Sequence, residues 1–480
     1  MPAGEPPRTM RVMIDLPPPV PYQPSPPASP PPLPEPPRFR PTALLAWLVI
    51  LGVCVALPLL RSEKQTAAPT TAPTTLPVAG TLPEEESDRV TVQVEMAGRM
   101  WVGLVRIISQ LGGGDDARQQ FEKAVELPQD TPTEKLAAAV ILKEFRQDDR
   151  ADKLLAAVND RDAEAIKTHY DGEPPATLPS SIHDRLGWFA RLADTHGRPD
   201  ADPQRAAVLS EATRSAVAII GAAVLIVGAL IVGIGLFITA VVLLSLGKIT
   251  IAPGRPVGPA HVYVEAVAIY LGGFIVASVL VKWLVPDAGI AASVVGLGCV
   301  VVMAAVWPLL RGVPIGVMRR DWGIHAGRGV LREMAAGVGG YVAGLPVVAV
   351  GFVITLVLIK VTDARPTHPI MQGGGNGSVL TALTLYGIAA IFAPLTEELL
   401  FRGAFVSHLR AGVNAVLAAL ISGFVFAAVH PQGWTVVPVL MSVGAVLALV
   451  RQWRGSLIAS TTAHAMHNGV LVTVMLLATS

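Results

Sequence analysis

Continuous runs of apolar residues dominate the chain from Ser215 to the C-terminus, and one further run precedes them. Most runs are close to or above the ~20 residues that a helix needs to cross a bilayer. Only helices and closed barrels satisfy their backbone in lipid, and continuous rather than alternating runs favour helices. The pattern therefore predicts an all-α, polytopic membrane bundle with about nine spans: 42–61, 215–246, 261–282, 288–310, 336–360, 379–410, 412–430, 434–450 and 456–478.

Two of the predicted spans are unusually long. The span 215–246 has 32 residues, which gives a helix of ~48 Å that must tilt or project beyond the bilayer. The span 379–410 has the same length, contains Pro394 and becomes charged halfway along. Proline is a common cause of helix kinks, so we expect a kinked helix here.

The segments before Ser215 differ in kind. Residues 1–41 include 17 prolines and predict a disordered or polyproline-II tail. The run 42–61 is followed by a Thr/Ala/Pro linker, 62–83. Residues 84–212 place charges between apolar positions three or four apart, which predicts a small extramembrane helical domain. The domain and the tail are both candidate sites for a partner protein.

Composition supports a membrane protein and argues against nucleic acid as a partner. Residues of hydrophobic type make up 52% of the chain and charged residues only 15%, against about 25% in soluble domains. The formal net charge is +1, and no basic patch with interleaved aromatic residues is present. The expected partners are the lipid bilayer and a membrane-embedded peptide or protein.

Lysine and arginine residues near the span ends predict the orientation. With a cytoplasmic N-terminus, twelve of them lie on the inner side and three in the short outer loops. We therefore expect a multi-pass protein of the cell (inner or plasma) membrane with residues 84–212 outside. Arg61, Lys64 and Arg214 flank that outer domain and run against the trend.

Charged residues inside the span 379–410 are the first candidates for chemistry, because charge is costly in a membrane and marks function. Glu398 and Arg402 stand four residues apart with the acid first, the favoured order for a helical ion pair. Glu397 points about 100° away from its neighbour, so Arg402 does not satisfy it equally well. A partly unpaired carboxylate in such surroundings is suited to act as a general base. The alternative is that both acids only pair with Arg402 and hold helices together.

Two further spans bring histidines and an amide. His430 ends the span 412–430, and His464 and Asn468 share one face of the last span, with His467 beside them. A rise of 1.5 Å per residue from the predicted cytoplasmic ends puts Glu397 ~20 Å, His430 ~27 Å, His464 ~14 Å and Asn468 ~20 Å deep. Three spans thus place polar groups at compatible depths within the membrane.

A carboxylate with histidines allows two chemistries, and the residues alone do not choose between them. Glu397 and His430 can activate water while His464 and Asn468 stabilise an oxyanion. Alternatively, Glu397, His430 and His464 can bind zinc, which acidifies its bound water. The cofactor expectation is therefore zinc or none.

The motifs Glu-Glu-x-x-x-Arg, Phe-x-x-x-His and His-x-x-x-Asn, in this order, resemble the CPBP family. This family groups type II CAAX prenyl endopeptidases with bacteriocin-processing or immunity proteins. The matching residues are Glu397, Glu398, Arg402, Phe426, His430, His464 and Asn468.

The resemblance covers residues 379–478 and leaves 213–378 as further transmembrane helices. It implies an intramembrane endopeptidase of the CAAX-processing kind. Glu397 and His430 would activate water, and His464 with Asn468 would form the oxyanion site. Glu398, Arg402 and Phe426 would support them. Both a metalloprotease and a metal-free glutamate mechanism have been attributed to the family.

Two other classes of function compete with a peptidase. A non-catalytic membrane scaffold or bacteriocin-immunity-type protein would use residues 84–212 as a binding module. A proton-coupled transporter would use the intramembrane acids and histidines as a proton relay. Inverted repeats would support a transporter, but the two halves of the membrane region show no self-similarity.

Overall fold

The computed structural model of the protein describes residues 41–66, 89–112, 119–120, 122–158, 160–172, 177–251, 254–284, 290–362, 364, 366 and 379–479. For residues 56–66, 282, 290–293 and 479 it describes the backbone alone. The predicted tail, apart from its last residue, and residues 67–83 of the predicted linker lie outside this set. Every regular element in the described part is a helix, so the predicted all-α fold is confirmed.

Helices of the membrane region follow the apolar runs. They are α1 (Pro41–Thr66), α8 (Pro203–Ser245), α9 (Ala260–Leu284), α10 (Ile290–Leu310), α11 (Ile315–Trp322), α12 (Val330–Thr362), α13 (Val379–Arg410), α14 (Ala415–Ala428), α15 (Val437–Arg454) and α16 (Leu457–Thr479). Among the described residues, five helices are long and apolar enough to cross a membrane: α8, α9, α12, α13 and the segment Trp434–Arg454 that contains α15. A helical membrane bundle is therefore the architecture, while the count of nine spans stays a prediction.

Residues 89–212 form a helical region with its own apolar core. Its helices are α2 (Val92–Gln110), α3 (Pro132–Glu144), α4 (Asp148–Ala156), α5 (Arg161–Asp171), α6 (Ser180–Leu186) and α7 (Trp188–Asp194). The sequence codes the start of α3 locally, because Thr131 and Glu134 form a reciprocal capping box. Buried Glu144 then accepts hydrogen bonds from Arg205 at 2.7 Å and from His196 at 2.9 Å. These contacts join α3 to the start of α8.

Helix α8 belongs to both regions. Its first turns bury Val208, Leu209 and Ala212 in the core of the extramembrane helices, and its later turns expose apolar side chains such as Val224. The helix runs without a break through residue 212. The composition changes from polar to apolar near residue 212, but the helix continues across that point. The domain boundary at 212 therefore stays a prediction.

The short helix α11 ties together the ends of three longer helices. The Asp321 carboxylate accepts hydrogen bonds from the backbone N–H groups of Val257 and Gly258, just before α9. Its backbone carbonyl accepts from Ser407 of α13 at 2.7 Å and from Arg451 of α15 at 3.0 Å. Backbone and side chain of one residue thus fix α9, α13 and α15 at the same end.

Helix α1 packs against α9 and also contacts α13. The Trp47 indole N–H donates to Nε2 of His408 at 3.1 Å. The other ring nitrogen of His408 bonds to the Ala260 carbonyl at 2.8 Å, which only accepts, so Nδ1 carries the proton. The first membrane helix is therefore bonded to the helix that bears the acidic pair.

Glycines spaced seven residues apart allow α12 to approach its neighbours closely. A Cβ on Gly337 would lie 2.2 Å from the Ala459 carbonyl oxygen, and one on Gly344 would lie 2.3 Å from the Val446 side chain. Without side chains at these positions, α12 packs against both α15 and α16.

Adding a methyl group at Gly337 should therefore push α12 away from α16. We expect Gly337→Ala to lower the free energy of unfolding by about 1–3 kcal/mol, the usual cost of overpacking. Gly339→Ala is the matched control, because a Cβ there meets nothing within 4 Å. Thermal unfolding of both variants in detergent tests this, and equal stability of the two would contradict the close packing.

Candidate active site

Helix α13, which carries the acidic pair, departs from regular α-helical geometry. Two π-helical stretches, Gly387–Phe392 and Glu398–Phe405, flank the α-helical stretch Ala393–Glu397. Such wide turns are uncommon and occur frequently at functional sites. The kink expected at Pro394 stays a prediction. Glu397 and Glu398 lie where the second π-helical stretch begins.

Glu398 and Arg402 form a fully buried ion pair. Both side chains are 0% exposed, and Arg402 Nη1 lies 3.1 Å from Glu398 Oε1. Arg402 also donates from Nη2 to the Gly444 carbonyl of α15 at 3.1 Å. Its guanidinium carbon lies 4.5 Å from the centre of the Phe426 ring on α14, a cation–π distance. The pair predicted from the four-residue spacing therefore also holds α14 and α15 against α13.

His464 lies between the two glutamates. Its Nδ1 is 3.0 Å from Glu398 Oε1, and its Nε2 is 3.7 Å from Glu397 Oε2. Arg402 holds the carboxylate of Glu398 in its charged form. The carboxylate therefore accepts a hydrogen bond from the Nδ1–H group of His464, and this bond fixes the orientation of the ring. The second ring nitrogen then faces Glu397. The structure thus brings together Glu397, Glu398, Arg402 and His464.

Glu397 and His464 form the second contact of this cluster. Arg402 compensates the charge of Glu398, whereas Glu397 Oε2 faces His464 Nε2 at 3.7 Å. Uncompensated charge is costly inside a membrane. A proton shared by Glu397 and His464 would leave this second contact neutral.

His430 stands beside this cluster at the end of α14. Its Nδ1 lies 2.5 Å from the Phe426 carbonyl oxygen, and its ring is 4.2 Å from the Phe426 ring between centroids. The carbonyl only accepts, so Nδ1 carries a proton and Nε2 is the basic nitrogen. His430 interacts electrostatically with both Glu397 and His464. Its orientation therefore suits it to accept a hydrogen bond at Nε2.

Asn468 compensates for a hydrogen bond that Pro394 cannot make. In a π-helix the N–H of residue i bonds to the carbonyl of residue i−5, and the Ala393 N–H indeed bonds to Ile388. The next donor would be residue 394, but proline has no N–H. The carbonyl left over belongs to Ala389, and Asn468 Nδ2 donates to it at 2.8 Å. Asn468 thus anchors the turn that precedes Glu397.

His467 lies outside the acidic cluster. Its Nδ1 bonds to the hydroxyl of Tyr341 on α12 at 2.6 Å. Sequence reasoning missed Tyr341, Ala389 and Gly444, which have no chemical motif of their own. The sequence held one signal for the Ala389 contact. Pro394 has no backbone N–H, so a carbonyl about one turn earlier in the helix must lack its usual donor.

The cluster is closed except at one glutamate. The Glu397 side chain is 20% exposed, while those of His464 and Glu398 are 3% and 0% exposed. Glu397 is therefore the most accessible of these three side chains. No three His, Cys, Asp or Glu side chains in the described part are arranged to hold a metal ion. Glu397, His430 and His464 do not fit a zinc site in this arrangement.

Loss of Arg402 should be far more damaging than loss of charge at both positions. We expect Arg402→Met to lower the free energy of unfolding by about 3–5 kcal/mol, because Glu398 would remain buried without its cation. The double variant Glu398→Gln/Arg402→Met leaves no buried charge and should recover part of that loss. Unfolding measurements in detergent compare them, and a double variant no more stable than the single one would contradict this role.

The anchoring role of Asn468 can be separated from a role in chemistry. Asn468→Ala leaves the Ala389 carbonyl without its donor, and Pro394→Ala restores a backbone N–H to that turn. If Asn468 acts as an anchor, the double variant Pro394→Ala/Asn468→Ala should regain stability relative to Asn468→Ala, by about 1 kcal/mol. No recovery in thermal unfolding would contradict the anchor. Activity that stays low in a stable double variant would show a separate chemical role.

Comparison with known proteins identifies the region that carries this site. Residues 379–470 match the family described as type II CAAX prenyl endopeptidase Rce1-like. No curated protein and no solved structure matches the chain. The match includes Glu397, Glu398, Arg402, Phe426, His430, His464 and Asn468, and it supports a membrane protease of the CAAX type. The resemblance predicted from the three motifs is thus confirmed: residues 379–470 of this membrane protein match the Rce1-like family.

Proposed function

We propose that this protein is an intramembrane endopeptidase that hydrolyses a peptide bond of a membrane-associated protein or peptide, as in CAAX processing. One observation carries the proposal: His464 is held by the Glu398–Arg402 ion pair so that its second nitrogen faces Glu397. A base, a proton carrier and a fixed orienting acid are the parts that acid–base hydrolysis requires. Their place within the Rce1-like region supports the same reaction class.

In the proposed reaction, Glu397 takes a proton from water. It is the most exposed member of the cluster, so water and substrate can meet there. His430 lies beside this cluster, interacts electrostatically with Glu397 and presents Nε2 as its basic nitrogen, so it assists in holding the water. The resulting hydroxide attacks the scissile carbonyl carbon. Positioned acid–base groups of this kind contribute about 10²–10⁴-fold to a rate.

The negative charge that develops on the carbonyl oxygen needs a donor. His464 can donate from Nε2 when it holds the shared proton, because Glu398 already fixes Nδ1. Asn468 has a second amide hydrogen besides the one given to Ala389. Glu397 then passes its proton to the leaving amine, which restores the neutral pair. Each proton is thereby accounted for within Glu397 and His464.

The substrate has to reach a site buried among membrane helices. A peptide attached to a lipid, or itself apolar, would partition into the bilayer and approach Glu397 from there. A CAAX-like C-terminal segment of a membrane-associated protein fits this requirement. We also propose that the N-terminus is cytoplasmic and that residues 84–212 lie on the outer side of the cell membrane.

The proposed base can be tested by an isosteric substitution. We expect Glu397→Gln to lower kcat by about 10²–10⁴-fold, because the amide cannot accept the proton from water. Its stability should change little, since Glu397 is outside the buried ion pair. The assay is mass spectrometry of products from a farnesylated CAAX peptide, compared with its unprenylated form, in proteoliposomes.

The matched control for this experiment is His467→Gln. His467 lies on the same helix as His464 but bonds to Tyr341, and glutamine can keep such a bond. Activity within a few-fold of the unsubstituted protein is expected. Full cleavage by Glu397→Gln, or equal loss in both variants, would refute the proposed roles.

A further inference from the structure

An open recess lies between helices α2 and α8, outside the acidic cluster. Its volume is about 470 Å³, and its polar lining includes Arg106, Gln110, Ser210, Thr213 and Arg214. Val217 extends the lining on the α8 side. The residues from α8 are spaced three, four and seven apart, so they share one face of that helix. The recess is thus open and largely apolar, with two arginines among its polar groups.

The two arginines are weakly compensated. Arg106 approaches Asp200 at 3.3 Å, but that aspartate side chain is 68% exposed, and exposed pairs contribute little. Arg214 is exposed and makes no ion pair with the described part of the chain. The lining contains no acidic residue. An anion of matching size would therefore meet two guanidinium groups, which suit phosphate oxygens.

The cavity coincides with the place where α8 leaves the extramembrane core. One turn before Arg214, Leu209 and Ala212 are buried among the extramembrane helices. Within the three turns after it, Val217, Ile220 and Val224 are 56%, 41% and 65% exposed. Exposed apolar side chains on a membrane helix face the acyl chains of lipids. A bilayer that covers these side chains would place Arg214 at the depth of the lipid headgroups.

We propose that the recess between α2 and α8 binds the headgroup of an anionic phospholipid. Arg106 and Arg214 contact the phosphate, the hydroxyl groups of Ser210 and Thr213 bond to the remaining headgroup oxygens, and one acyl chain follows Val217 and Val224. The continuous apolar edge selects a lipid over a soluble phosphate. The site also gives a reason for Arg214. This arginine lies on the predicted outer side of the membrane, whereas lysine and arginine residues near span ends are usually more frequent on the cytoplasmic side.

Binding of lipid to the purified full-length protein tests this site. Native mass spectrometry with phosphatidylglycerol gives the apparent affinity of the unsubstituted protein and of Arg106→Gln/Arg214→Gln. Each arginine near a membrane surface contributes about fivefold to binding of anionic lipid, so we expect the double variant to bind about 30-fold more weakly. Arg214→Gln alone should lose about fivefold, and as an exposed single change it keeps the test valid if the double variant misfolds.

The matched control is Arg146→Gln/Arg161→Gln, which removes the same charge from exposed positions of the same extramembrane region. It should bind phosphatidylglycerol as the unsubstituted protein does. Equal loss in this control, equal affinity for phosphatidylcholine, or unchanged binding by the Arg106 and Arg214 variants would overturn the proposal. Displacement of the lipid by glycerol 3-phosphate would also overturn it, because the occupant would then be a soluble phosphate.

Discussion

The ion pair between Glu398 and Arg402 is the interaction on which the rest of the site depends. Two charges without any exposed surface are stable only when each is compensated, since the cost of removing them from water is several kcal/mol per ion. Compensation here requires more than the pair itself. Arg402 also needs the Gly444 carbonyl and the Phe426 ring, which belong to α15 and α14. The buried charge of Arg402 thereby fixes how α13, α14 and α15 pack against one another.

Close packing around the arginine follows from the same constraint. A Cβ on Gly444 would lie 2.8 Å from the Gly423 backbone and 3.2 Å from the Phe426 ring. Glycine at this position lets α14 and α15 come together around the guanidinium group. The carboxylate of Glu398 is then fixed, and with it the ring of His464. The orientation of the proposed chemical groups is thus a consequence of charge burial, and Glu397 remains as the acid with access to water.

Sequence spacing predicted part of this arrangement. The pairing of Glu398 with Arg402 follows from their separation of four residues. The depth estimates predicted compatible depths for Glu397 and His464, whose side chains lie 3.7 Å apart in the structure. Spacing did not predict that His464 would also contact Glu398. Helical-wheel reasoning assumes 100° per residue, and the π-helical stretches of α13 break that rule near the acidic pair. His464 and Asn468 share one face of α16, but Asn468 does not join His464 at the acidic pair. It donates to the Ala389 carbonyl, which lacks a backbone donor because Pro394 has no N–H. The partner of His467 depended on the packing of α12 against α16, which no local pattern shows.

A kinetic double-mutant cycle between Glu397 and His464 tests the shared proton most directly. The variants Glu397→Gln, His464→Gln and the double variant are compared by kcat/KM on one membrane-bound peptide. If the two residues act as one unit, the double variant should be no more than about threefold slower than the slower single variant, because the first substitution already disables the pair. Losses that multiply would show that Glu397 and His464 act independently, and would contradict the shared proton.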